Sequence, residues 1–342
     1  MLLLLSHSRQ TDHAPERALA TGRAELFIQR HDRAAEERVP AEVRARADAI
    51  VHDDANTDID GSPADYPHCR IVVRAGVGYD GLDVEAWSAR GVPVCNVPDY
   101  GTSEVADHAI ALMLSLARGC ATYHEALRRD PKAGWSHAAA PLVRRLRGAA
   151  FGIVGLGRIG LAAALRARAF GMSIAFYDPY LPSGVEIAVD AARFHRLEDL
   201  MAASDVVSLH APAAPETRGL VGREALAAAK PGLVLVNTAR GSLVDLDALH
   251  DALRDGRVAG AALDVLPREP ADADHPLIAA WLRREPWIEG RLTLSPHAAF
   301  YSPDGNRDLR TKSVETALTY LETGRLMNCV NGPSLNSKQA GR

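Results

Sequence analysis

The sequence predicts an α/β fold whose parallel sheets are covered by helices on both faces. Three observations predict it. Short β-rich runs alternate with longer helical patterns along the whole chain. At 342 residues the chain is long enough for two domains of ordinary size. Its 47% apolar and 24% charged residues are the composition of a globular protein.

In the first third, strands are expected at 2–5 (LLLL), 24–29, 48–52, 70–76 and 92–96. The Leu2–Leu5 run lacks a basic region and is too short for a signal peptide, so it reads as a buried first strand. A long apolar helix follows at 103–119. A looser stretch, 130–148, separates this series from a second one. There strands are expected at 149–155, 172–178, 206–210, 233–239, 258–264 and 291–297, with helices between them, such as 159–171. The last helix, roughly 306–322, should stop at Gly324. The two series imply two α/β domains, with the terminal helix crossing back to the first.

The bulk numbers exclude some functions. A net charge of −4 argues for neither nucleic acid nor an anionic membrane. The basic residues are almost all Arg; only Lys132, Lys230, Lys312 and Lys338 are lysines. No stretch approaches the ~20 apolar residues of a membrane span. Cys69, Cys95, Cys120 and Cys329 are widely spaced, which fits reduced thiols in a cytoplasmic protein better than a disulfide or metal framework. No metal set is expected.

GLGRIG (155–160) has the context a dinucleotide cradle requires. A strand runs into Gly155, a helix follows Gly160, and the next strand ends in Asp178, eighteen positions on. Gly155 permits the tight turn, Gly157 lets the backbone approach a pyrophosphate, and Gly160 lets helix and strand pack closely. The N–H groups of Arg158 and Ile159 face the anion. Asp178 can bind both hydroxyls of an adenosine ribose and would repel a 2′-phosphate, which favours NAD. NADP is the alternative if Arg158 or a neighbour compensates.

Arg240 follows one apolar strand and His297 another, where an open parallel sheet places its ligand crevice. Asp264 closes a third strand and could accept from the cofactor's carboxamide. Glu269 lies five residues further on. Singly, each has a plain structural reading: a solvated loop cation, a packed imidazole, a helix cap. Jointly, downstream of the cradle, they suit hydride exchange with a small carboxylic acid. Arg grips a carboxylate and a polarising carbonyl through its planar fork. His moves a proton near neutral pH. A carboxylate beside it fixes the ring and favours imidazolium, the role for Glu269.

The chain resembles the D-isomer-specific 2-hydroxyacid dehydrogenases from about residue 69 to 332. The resemblance is carried by CRIVVRAGVGYDGLD (69–83), VCNVPDYGTSEVADHAIALML (94–114), LRGAAFGIVGLGRIG (146–160), YDPY (177–180), SLHAPAAPETRGL (208–220), NTARGSLVDLDAL (237–249), AALDVLPREP (261–270) and SPHAAFYS (295–302). It is most similar to the branch holding the C-terminal-binding-protein-like and phosphoglycerate dehydrogenase-like members. The resemblance implies two Rossmann-like or flavodoxin-like domains with a cleft between them. One is a discontinuous substrate domain at 1–100 plus 301–332, the other an NAD domain at 101–300, with a tail at 333–342. It implies Arg240, Glu269 and His297 as catalytic residues. Val77, Ala211, Thr217, Thr238, Asp264 and His297 join the cofactor contacts. Arg74, Gly76, Val77 and Gly78 surround the substrate carboxylate beside Arg240, with Phe300 nearby. It further implies a homodimer built through the NAD domain, with 103–119 near the interface.

Three departures from the family pattern stand out. The interval from Glu269 to His297 is 28 positions, roughly ten longer than usual in the family, and the extra residues lie in 279–290. Trp281 and Trp287 read as anchors of that added loop rather than site residues. Phe300 stands where the corepressor relatives carry Trp. The first seventy residues match only in strand–helix rhythm. A competing reading is an NAD(H)-sensing, corepressor-like binding protein with little catalytic output; the substrate's identity stays open.

Overall fold

The computed structural model describes residues 1–31, 38–54, 57–333 and 335. Two compact units divide the chain: residues 1–101 with 302–342, and residues 102–301. Beyond Pro333 and Leu335, the expected tail at 333–342 lies outside the described residues.

The first unit opens with β1 (Leu2–Ser8), α1 (Ala14–Ala20), β2 (Glu25–Arg30), α2 (Ala41–Arg46) and β3 (Ala49–His52). It continues through β4 (Ile71–Arg74), α3 (Val84–Ala89) and β5 (Val94–Asn96). All strands are parallel, in the order β2-β1-β3-β4-β5. Because strand side chains alternate, each apolar run feeds both faces. Leu2, Leu4, Ile50, Val72 and Val94 join Tyr66 and Trp87 in one core. Leu3, Leu5, Val51, Ile71 and Val73 join the opposite one.

The second unit begins with α4 (Thr102–Arg118) and α5 (Cys120–Arg129). Next come β6 (Ala150–Val154), α6 (Arg158–Ala169), β7 (Ser173–Tyr177), α7 (Val185–Ala188), β8 (Ala192–Phe194) and α8 (Leu197–Ala203). Then follow β9 (Val206–Leu209), α9 (Arg223–Ala227), β10 (Leu233–Asn237), α10 (Leu246–Arg254), β11 (Val258–Leu263), α11 (Pro276–Leu282) and β12 (Leu292–Leu294). The order is β12-β11-β10-β9-β6-β7-β8, again parallel throughout. It reverses direction between β6 and β9, the switch point of a doubly wound sheet. Helix α4 packs Ala106, Ala109, Ile110 and Met113 on the face presented by Phe151, Ile153, Val234 and Val236.

Helix α12 (Pro303–Thr323) returns to the first unit and packs on β3 and β4. Leu309, Val314, Ala317, Leu318 and Leu321 supply the buried face. It starts earlier than expected because the Ser302 hydroxyl caps Gly305 N–H at 2.8 Å and Pro303 takes the first turn. It stops at Gly324, whose φ of +74° is the left-handed C-terminal position expected of it. The Arg310 guanidinium pairs with both oxygens of buried Glu16 at 2.5 and 2.6 Å, tying α12 to α1.

The expected two-sheet parallel α/β architecture is present. Strand β8 went unread because three residues with an arginine at the centre carry no apolar pattern. No helix among the described residues is long and apolar enough to cross a membrane.

Candidate active site

The glycine turn is shaped by close approach. Gly155 leaves β6 with a φ of +87°. A Cβ there would fall 2.8 Å from Ala211 N and 2.9 Å from the His210 carbonyl carbon. Only glycine lets the chain leaving β9 come so near. A Cβ on Gly160 would collide with the Gly155 carbonyl, so the start of α6 sits tight against the turn. Gly157 is different: a Cβ there meets nothing within 4 Å. Open space therefore faces the first turn of α6, where N–H groups lack intrahelical partners and favour an anion. Asp178, just past β7, accepts from Leu156 N–H and from Tyr180 N–H, each at 3.0 Å, which holds its carboxylate beside the turn.

A dinucleotide fits this cradle. Beyond the open Gly157 face, Thr238 offers a buried hydroxyl with no hydrogen-bond partner among the described residues, a group a polar ligand atom would satisfy. Thr217 does not: its hydroxyl accepts from Ala214 N–H at 2.8 Å and donates to the Pro212 carbonyl at 2.8 Å.

Arg240 sits on a turn fixed by Asn237. The Asn237 amide donates to the Arg240 carbonyl at 2.9 Å and accepts from Ala239 N–H at 3.0 Å. Arg240 itself donates from Nη1 to the Ala239 carbonyl at 2.8 Å. At Gly241 there is no room for a side chain, because the backbone of Leu266 and Pro267 lies against it. That contact packs the arginine turn on the loop leading to Glu269. Glu269 Oε1 accepts from Leu266 N–H at 3.1 Å, and Oε2 lies 2.7 Å from His297 Nδ1. Burial pushes the Glu269 carboxyl up, but the His297 imidazole, the Leu266 N–H and the Arg240 charge outweigh it and hold the group below the usual range. Phe300 stands edge-on to the imidazole, with ring centroids 6.3 Å apart. Arg240, Glu269, His297 and Phe300 thus share one end of the second unit's sheet.

Asp264 also holds its own neighbourhood together. Its Oδ1 accepts from Ser295 Oγ at 2.6 Å and from Ala298 N–H at 2.9 Å, and its Oδ2 accepts from Ala299 N–H at 2.9 Å. The carboxylate is occupied in holding the His297 loop. His108 extends this cluster, with Nε2 2.9 Å from Ser295 Oγ. Since that hydroxyl donates to Asp264, it accepts from His108. Sequence reasoning missed His108 and Ser295; the only signal was Ser295 lying two residues before His297.

In the first unit the loop leaving β4 is pinned by its carbonyls. Val77 O accepts from the Asn96 amide at 2.7 Å, and Gly76 O accepts from Val97 N–H at 3.0 Å. Gly78 is partly exposed. The Arg74 side chain turns inward, donating to the His52, Asp53 and Ala75 carbonyls.

The added segment 279–290 is partly helical, within α11, and packs on its own unit. Trp281 and Trp287 lie against the core, and Trp287 Nε1 donates to Glu285 Oε2 at 2.7 Å.

Comparison with known proteins agrees with this geometry. The family model for the D-isomer specific 2-hydroxyacid dehydrogenase, NAD binding domain, matches residues 110–299. A D-3-phosphoglycerate dehydrogenase of Mycobacterium leprae is 42% identical over 233 residues, 68% of this chain and 43% of that protein. One of Methanocaldococcus jannaschii is 34% identical over 273 residues, 80% of this chain and 49% of that protein. The chain therefore spans about half the length of these curated relatives. Among solved structures, an NADPH-dependent glyoxylate/hydroxypyruvate reductase from Sinorhizobium meliloti, in complex with NADP and malonate, is 31% identical with a TM-score of 0.80, covering 96% of each chain. A D-lactate dehydrogenase from Aquifex aeolicus, complexed with NAD and lactic acid, is 26% identical with a TM-score of 0.81, covering 97% of this chain and 100% of that one. With a matching family model over more than half its length, and a glycine turn and His–Glu pair in place, this chain belongs to the D-isomer specific 2-hydroxyacid dehydrogenase family.

Proposed function

We propose that this protein is an NAD-dependent oxidoreductase interconverting a D-2-hydroxyacid and its 2-keto acid. The observation that carries the reading is the 2.7 Å contact between His297 Nδ1 and Glu269 Oε2, on a loop packed against the Arg240 turn. Bound NAD(H) supplies or accepts the hydride. Arg240 binds the substrate carboxylate and polarises the carbonyl through its fork. Glu269 fixes the imidazole through Nδ1, which leaves His297 Nε2 to hand a proton to the keto oxygen or take it back. Asp264 and Ser295 hold the loop that positions His297. Backbone at 74–78 binds the carboxylate, and Phe300 borders the reacting carbon. In this reading 102–301 is the cofactor domain, and the unit of 1–101 with 302–342 is the substrate domain.

Asp178 selects NAD, because a 2′-phosphate would meet its carboxylate. A homodimer through the cofactor domain and a cytoplasmic location complete the proposal; the free cysteines fit a reducing compartment. The test is NADH consumption with glyoxylate, hydroxypyruvate, pyruvate and longer 2-keto acids. Turnover of at least one is expected. Retained NADH binding with no turnover of any would favour the sensor reading instead.

A further inference from the structure

Strand β5 lies at the edge of the first unit's sheet, where its outer N–H and C=O groups need partners. The segment after α12 supplies them. Val330 N–H donates to the Val94 carbonyl at 2.8 Å, and Asn96 N–H donates to the Asn328 carbonyl at 3.2 Å. These two bonds frame an antiparallel bridge between Cys95 and Cys329. The two cysteines stand opposite each other without exchanging main-chain bonds themselves. Such pairs have Cα atoms about 4.5 Å apart. A disulfide spans Cα separations of ~4.4–6.8 Å.

Both thiols lie on one side of the sheet. Val94 joins the core that holds Trp87, whereas Cys95, one residue on, joins the opposite core with the buried face of α12. Cys329 packs against that same core. Burial pushes the Cys95 thiol up to about 12, and the adjacent Cys329 thiol adds to the rise.

The bridge is held in register by groups other than sulfur. The buried Asn331 side chain accepts from Val94 N–H at 2.8 Å. It donates to Ser88 Oγ at 2.8 Å and to the Val92 carbonyl at 3.0 Å. With both backbones fixed at this spacing, a bond between the sulfurs needs only side-chain rotation.

The two thiols differ in access. Cys95 is fully buried and stays protonated, so a solute does not meet it as a nucleophile. Cys329 is partly open to solvent, and its thiol donates to Asn331 Oδ1 at 3.3 Å. Cys69 is buried, with its thiol donating to the Ile71 carbonyl at 3.4 Å, and Cys120 is exposed in the second unit.

We propose that Cys95 and Cys329 form a redox-active dithiol, which hydrogen peroxide converts into a reversible disulfide that staples the segment after α12 to β5. The Cys329 thiolate attacks one peroxide oxygen and the O–O bond breaks. The hydroxide that leaves takes up the proton Cys329 gave to solvent, forming water, and Cys329 becomes a sulfenic acid. The Cys95 sulfur then attacks the Cys329 sulfur and the S–O bond breaks. The second hydroxide takes the Cys95 proton, forming a second water. Two thiols are oxidised by two electrons in all, and one peroxide is reduced. A small dithiol reverses the step by exchange.

The experiment treats the full chain with hydrogen peroxide, alkylates the remaining thiols and digests the protein without reduction. Mass spectrometry should find the peptides carrying Cys95 and Cys329 joined and lighter by two hydrogens. A non-reducing gel should show the linked protein at monomer mass, and dithiothreitol should restore both thiols. Cys120→Ser should form the link as the wild type does. Cys95→Ala removes the resolving thiol, so Cys329 should stop at a sulfenic acid that dimedone traps. Cys329→Ser should leave Cys95 unoxidised, and it keeps the test open if the change at the buried position misfolds. Cys95 and Cys329 both alkylated while Cys120 is oxidised overturns the proposal. So does Cys329 carried to sulfinic acid beside a free Cys95, or a link found only between two chains. The readout is mass rather than turnover, so either result leaves the dehydrogenase reading untouched.

Discussion

The main-chain N–H of His297 donates to the main-chain carbonyl of Asp264 at 2.8 Å, while the Asp264 carboxylate holds the N–H groups of Ala298 and Ala299. One buried aspartate therefore grips the turn at the histidine and at the two residues after it; His297 itself sits at a φ of +53°. Asp264→Ala leaves those N–H groups without their charged acceptor. It should destabilise the second unit by about 3 kcal/mol and lower kcat well beyond any change in NAD affinity. Denaturant unfolding and NADH titration check both. Unchanged stability would show that the turn does not depend on this carboxylate.

Glu269→Gln keeps a group of the same shape beside the imidazole and removes its charge. We expect kcat to fall by roughly tenfold or more, with NADH affinity unchanged. The wild-type Glu269 carboxyl lies below its usual range, so its charge stays beside the imidazole until the pH falls through that lowered folded-state value. The measurement is kcat against pH for both proteins. Identical profiles and rates would separate Glu269 from the chemistry.

Asp178 is held beside the glycine turn by two backbone N–H groups. Asp178→Ala removes the charge that a 2′-phosphate would meet. The NAD/NADP ratio of kcat/KM should fall by about tenfold or more, the scale of one lost charged contact. An unchanged ratio would reject the ribose assignment.

His52 is buried, and burial pushes its pKa down to about 3. The unfolded chain binds a proton below about 6.5 that the folded chain refuses. Stability is therefore full above that value and falls as pH drops towards the folded value, by up to ~1.4 kcal/mol per pH unit for this one group. Unfolding free energies measured from pH 7 to 4 should show the slope, and His52→Asn should flatten it. A slope identical in both proteins would assign acid sensitivity to other groups.

The strand–helix rhythm was legible because β1, β3, β4, β6 and β10 each hold an apolar run that is largely buried. Arg240, Glu269 and His297 were legible because each follows such a run, or a short loop after one, beside a cradle with full strand–turn–helix context. What the sequence hid depends on side-chain direction. Asp264 was legible as a strand-end carboxylate, but not the three donors, from Ser295, Ala298 and Ala299, that its oxygens hold. At Arg74 only the backbone was expected to meet substrate, and no spacing told that its guanidinium turns onto the His52, Asp53 and Ala75 carbonyls.

The most direct test is the kcat of His297→Ala against that of the wild-type protein, with NADH binding measured alongside. The account predicts a fall of about 10²–10⁴-fold with binding retained. A fall of less than about threefold at saturating substrate would contradict it, because a proton carrier cannot be removed at so little cost.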